Sequence, residues 1–123
     1  MKPNVLRFIC NGVVTTCIHT LIVYLLIQFY IMDVGLANAL AFLTATSFSY
    51  VVNTKWTFGA EYSLQLMFRY VAVTCMGSFL AYLLASFCET MSLPWWCGVG
   101  LIVAVMPVLT WQAHKSWTYV GQR

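Results

Sequence analysis

This sequence predicts an all-α integral membrane protein with four transmembrane helices, built as two parallel two-helix repeats. Three observations carry that prediction. Only 7% of the 123 residues are charged and 62% are hydrophobic, whereas a water-facing surface needs roughly 25% charged residues. Four stretches, 8–31, 36–52, 70–87 and 95–111, contain no Asp, Glu, Lys or Arg. A short motif also occurs twice: Asn53-Thr54-Lys55-Trp56-Thr57-Phe58 is echoed by His114-Lys115-Ser116-Trp117-Thr118-Tyr119, and Arg7-Phe8 is echoed by Arg69-Tyr70.

Each uncharged stretch has about 17 to 24 residues, enough as a helix to cross roughly 30 Å of hydrocarbon. Backbone groups in lipid must be satisfied within the segment, which demands helices, and the alternating polarity of a membrane barrel is missing. The first stretch follows Lys2 and Arg7 but is too long for a signal peptide and has no small-residue cleavage site before Asp33, so it reads as a retained helix. It carries a polar line, Asn11, Thr15 and His19, spaced by four, with Gly12 and Thr16 beside it. His19 falls near mid-membrane, where an ionisable group marks a functional site unless it merely bonds a neighbouring helix. The second stretch has small residues every four positions, Ala37, Ala41, Ala45, Ser49 and Asn53; the third has Gly77, Ala81 and Ala85; the fourth has Gly100 and Ala104. Such lines let helix backbones approach closely, within one chain or between copies. Pro94 suits the first turn of the fourth helix, and Pro107 predicts a kink one turn before the second Trp-Thr motif.

Charge placement predicts the orientation. All six Lys and Arg residues lie at the N-terminus, in the second connection or at the C-terminus, while the first and third connections carry only Asp33 and Glu89. By the positive-inside rule both termini are cytoplasmic. Repeat 1 then covers about 5–60 and repeat 2 about 67–121 of a single domain, 1–123. An even number of crossings per repeat puts both Trp-Thr-aromatic ends on one side, with Trp56 and Trp117 as interfacial anchors beside Phe58 and Tyr119. The net charge of +3 is therefore a topology signal, not a nucleic-acid patch. The five cysteines show no metal-ligand spacing; Cys10, Cys17 and Cys75 are expected as small packing residues, and the pairing of Cys88 with Cys97 near the outer face stays open. No nucleophile–base pair, metal cluster or phosphate loop suggests an enzyme, and no cofactor is implied. A small cation exporter would need an acidic residue inside the first helix, which has none.

Arg7-Phe8 with Gly12 and Thr16, Ala37-Asn38-Ala39-Leu40-Ala41-Phe42, and Ser47-Phe48 leading into Asn53-Thr54-Lys55-Trp56-Thr57-Phe58 together resemble the GtrA-like family of small four-helix membrane proteins. The second copy departs from the family pattern, with His114 where asparagine is usual and Tyr119 where phenylalanine is usual; Asn11 also replaces a common apolar residue. The resemblance implies a flippase in the bacterial inner membrane that moves a polyprenyl-phosphate-linked hexose, such as undecaprenyl-phosphate glucose, to the outer leaflet for O-antigen or other envelope polysaccharide. A separate polyprenyl-phosphate glycosyltransferase would load the sugar, and the alternative role is a non-transporting partner that recruits or stabilises that enzyme.

For such a substrate the chain must handle a phosphate that cannot cross hydrocarbon unpaired. Arg7, Arg69, Lys55 and Lys115 are the candidate phosphate contacts, joined by Asn53 and His114 at the helix ends. The line Asn11, Thr15 and His19 is the candidate groove for sugar hydroxyls. Four helices are few for such a path, and the small-residue lines predict a homo-oligomer. Topology reporters fused at either terminus are expected to read as cytoplasmic, and one inserted near Asp33 as external.

Overall fold

The computed structural model describes residues 4–30 and 32–121, so Lys2 and Arg123 lie outside the described residues. Among them all regular structure is helical: α1 (Val5–Tyr30), α2 (Val34–Val52), α3 (Leu64–Thr90) and α4 (Trp95–Ala113). Side-chain oxygens start the first three. Asn4 Oδ1 accepts from the Leu6 amide at 3.0 Å, Asp33 Oδ1 from Leu36 at 2.9 Å and Ser63 Oγ from Leu66 at 3.1 Å. Each bond satisfies an amide the helix leaves free. The Ser63 cap is why α3 begins ahead of its uncharged stretch and takes Arg69 into its second turn.

Neither α2 nor α4 stops where its apolar stretch does. Both continue as one wider, π-helical turn, Asn53–Thr57 after α2 and His114–Thr118 after α4. The wide turns are closed by Phe58 N–H to Asn53 O at 2.9 Å and Tyr119 N–H to His114 O at 3.0 Å. Such insertions are rare and concentrate at functional sites. Gly59, at φ 60°, then reverses the chain, a conformation that costs glycine little. Pro107 sits within α4 without ending it.

All four helices, α2 and α4 together with their π turns, are long and apolar enough to span a bilayer, which makes this a multi-pass membrane protein. α2 packs along α1 and α3, α3 along α4, and α1 meets α4 only sparingly. The tightest seam is α2–α3. The small-residue lines on both helices are buried, from Ala37, Ala41 and Ala45 to Gly77, Ala81 and Ala85. Phe42 lies over Gly77, where a Cβ would fall 2.6 Å from the ring, and Ser78 Oγ donates to the Ala39 carbonyl at 2.8 Å. Ile102 and Met106 of α4 complete that core.

Gly100 and Ala104 face outward, so they do not pack within the chain, and the close approach of α4 to α3 uses Gly98 against Ala85. One expectation is corrected: Cys10, Cys17 and Cys75 are exposed, on faces turned away from the bundle, so they do not pack it. Periodicity within one helix cannot tell which of its faces meets a neighbour. Cys88 and Cys97 are free thiols.

Replacing Gly77 with Val should drive α2 from α3 and cost about 1–3 kcal/mol, read as a lower Tm in detergent. Gly12→Ala should leave Tm unchanged, because a Cβ at Gly12 meets nothing within 4 Å.

A polar cleft between the first and last helices

Where α1 and α4 stand apart, a cleft of about 80 Å³ remains, a volume of only a few waters. Gly12, Thr15, Thr16 and His19 form its α1 wall; Ala45, Thr46 and Ser49 of α2, with Asn53 of the π turn, line its back; Ile102, Val103, Met106, Pro107 and Thr110 form its α4 wall. The lining includes no Asp, Glu, Lys or Arg. It offers hydroxyls, an amide and imidazoles on an apolar frame.

Aromatic contacts close the cleft at both ends. At the end bearing the π turns, Phe8 of α1 meets Trp111 of α4 at 4.9 Å between ring centroids. Behind them Phe58 and Tyr119 stack face to face at 4.0 Å and 5°, and Tyr70 stacks on His114 at 4.4 Å. The Tyr119 hydroxyl shares a hydrogen with Thr54 Oγ1 at 2.9 Å, tying one π turn to the segment after the other. Burial pushes the Tyr119 phenol up, so it stays an O–H. At the far end Tyr24 approaches Trp95 at 6.3 Å, above a plug of Val23, Ala41 and Val99.

The two π turns are held by parallel sets of bonds. Thr57 Oγ1 donates to Asn53 Oδ1 at 2.8 Å, and His114 Nδ1 bonds Thr118 Oγ1 at 3.0 Å. Arg7 Nη1 donates to the Trp56 carbonyl at 2.9 Å, and Arg69 Nη1 to the Trp117 carbonyl at 3.1 Å. Each arginine thereby occupies a carbonyl its turn leaves unpaired, and Arg7 also lies over the Trp56 ring at 5.7 Å.

The sequence-derived candidates therefore fall into two groups. Thr15, His19, Asn53 and His114 converge on the cleft. Arg7, Arg69, Lys55 and Lys115 gather at the π-turn end without lining it. Lys55 pairs with Glu61 at 2.6 Å, while Lys115 lies over Trp111 at 6.0 Å. Trp56 and Trp117 are exposed beside them. Asn11 is buried behind the cleft, its amide donating to Ser49 Oγ at 2.8 Å, and Ser49 Oγ also accepts from Asn53 Nδ2 at 2.9 Å. That network holds α1 on α2, which is glue rather than lining.

Several contributors were not singled out from sequence. Thr46 and Thr110 line the cleft although their hydroxyls donate back to the Phe42 and Met106 carbonyls of their own helices. Asn38 stands behind His19, Nε2 to Oδ1 at 3.0 Å. The available signal was an amide on the same face as Ala37 and Ala41 in an otherwise uncharged run.

Against known families, the model described as GtrA/DPMS, transmembrane domain, matches residues 7–119. The chain belongs to this family. Membership makes it a membrane protein of polyprenyl-phosphate-sugar chemistry, in contact with lipid-linked sugar and membrane lipid. The matched span runs from Arg7 to Tyr119, which in this GtrA/DPMS domain are the first arginine cap and the last stacked ring. No curated protein and no solved structure is matched by the chain.

Tyr119→Phe keeps the stack on Phe58 and loses the bond to Thr54. It should cost about 1 kcal/mol, read as a modest fall in Tm, whereas Tyr119→Ala should cost several times more by removing the ring.

Proposed function

We propose that this GtrA/DPMS domain is a flippase that carries a polyprenyl-phosphate-linked hexose, with undecaprenyl-phosphate glucose as the type substrate, from the cytoplasmic to the outer leaflet of the bacterial inner membrane. The observation that carries this reading is the cleft. It runs between α1 and α4, is lined by neutral hydroxyl, amide and imidazole groups, and lies inside a segment that otherwise faces lipid. A sugar moving there exchanges water for fixed hydrogen-bonding groups, while its tail needs no enclosure because the helix pair opens to the bilayer. The cations at the π-turn end suit the phosphate. Arg7 gives one bond to a carbonyl, Arg69 bonds the Trp117 carbonyl and more weakly that of Val120, both keep further donors, and Lys115 has no carboxylate partner among the described residues. By the positive-inside rule that end is cytoplasmic, where the loaded lipid would arrive. The two parallel cap-and-turn units fit an origin by duplication.

At about 80 Å³ the cleft is too tight for a hexose as it stands, so passage requires α1 to move from α4. α1 is suited to that, with only Asn11, His19 and Val23 buried along its length. The same tightness favours a second reading, in which the protein holds a polyprenyl-phosphate glycosyltransferase in the membrane and transports nothing.

Purified protein in liposomes with labelled polyprenyl-phosphate glucose separates the two. Wild type should expose the lipid to an impermeant reagent faster than empty liposomes. Gly12→Val, which narrows the cleft from a position where a Cβ meets nothing within 4 Å, should slow flipping toward the protein-free level with little change in Tm. Arg7→Ala with Arg69→Ala should also abolish it. If wild type equals empty liposomes yet co-purifies with a glycosyltransferase, the partner role replaces transport.

A further inference from the structure

His19 is only 5% exposed, and its ring is fixed from one side. Asn38, fully buried, donates its Nδ2 hydrogen to the Val34 carbonyl at 2.8 Å, which leaves Oδ1 facing His19 Nε2 at 3.0 Å. An amide oxygen has no hydrogen to give, so Nε2 carries the proton and Nδ1 of the neutral ring is a bare acceptor. No described residue bonds Nδ1, and among the described residues no buried side-chain nitrogen or oxygen lacks a partner. Nδ1 therefore reaches open space, and the space beside His19 is the cleft. The surrounding hydroxyls of Thr15, Thr46 and Thr110 are spent on carbonyls of their own helices. Those oxygens, like that of Thr16, keep lone pairs and can also accept, but His19 Nδ1 is an acceptor with no hydrogen of its own.

Resting on the flippase reading, we propose that His19 Nδ1 accepts a hydrogen bond from a sugar hydroxyl of the lipid-linked head group half-way across the membrane, and that Asn38 is the positioning residue that keeps that nitrogen unprotonated and turned to the cleft. An unpaired acceptor in a low-dielectric site favours a ligand that brings an O–H and penalises one that lacks it. The T-shaped contact of the ring with Phe42, at 6.4 Å, limits its rotation, so the tautomer is decided at Asn38.

The protein has two histidines, so nitrogen NMR of [15N]histidine-labelled protein in liposomes is simple to assign, with His19→Phe removing one set of signals. His19 should show a protonated Nε2 and a bare Nδ1. Polyprenyl-phosphate glucose should shift the Nδ1 resonance toward a hydrogen-bonded value, and polyprenyl phosphate without sugar should not. Asn38→Leu should split the signal between tautomers and slow flipping about tenfold, the worth of one hydrogen bond. A proton on Nδ1 in wild type, an unmoved Nδ1 while flipping proceeds, or wild-type flipping by Asn38→Leu overturns the assignment. If Asn38→Leu does not fold, the wild-type titration decides. A shifted Nδ1 without flipping would sink transport and leave the head-group site standing.

Discussion

Close approach of α2 and α3 along a line of small residues sets the shape of the whole bundle. With Gly77, Ala81 and Ala85 on one helix and Ala37, Ala41 and Ala45 on the other, the backbones come near enough for Phe42 to lie on Gly77 and for Ser78 to bond a carbonyl across the seam. In lipid that contact is driven by packing and hydrogen bonds, since leaving hydrocarbon gains nothing. The spacing that relates Arg7 to Arg69 sets Thr15, His19 and Val23 of α1 against Gly77, Ala81 and Ala85 of α3. With larger side chains in these places α1 has no small-residue line for α4 to approach. One seam closes and its counterpart stays open, and the open one is the polar cleft.

The π-turn end works differently. There the two halves interlock through rings and caps: Phe58 on Tyr119, Tyr70 on His114, and an arginine on the carbonyl of each repeated tryptophan. The carbonyl that each turn leaves open is bonded by guanidinium, which keeps its charge in the head-group layer. The same cations thus serve structure and remain available to a phosphate. Removing an arginine therefore tests capping and transport together, whereas Gly12→Val tests the cleft alone.

Within the cleft, polarity is supplied without formal charge. A lysine or carboxylate at that depth would carry a large desolvation cost, whereas threonines can return their hydroxyls to their own helix and wait. His19 is the exception because Asn38 uses one nitrogen and leaves the other. Sequence reasoning found His19 from its depth, but its partner is 19 positions away on another helix. No spacing rule connects them.

The sequence by itself determined that four helices span the membrane, because uncharged runs of this length have no other way to satisfy their backbone. It also determined that the Trp-Thr motifs mark equivalent helix ends, because the same residue order recurs behind the same arginine. Whether a given line of small or polar residues meets a helix, the lipid or a cavity was decided only by tertiary structure. Ala81 and Ala104 look alike in sequence, yet one is fully buried and the other exposed. Asn11 and Thr15 share one line, yet one bonds α2 and the other lines the cleft. The physical reason is that periodicity fixes a residue's angle on its own helix, while the rotation of that helix against its neighbours is set by packing of all the side chains at once.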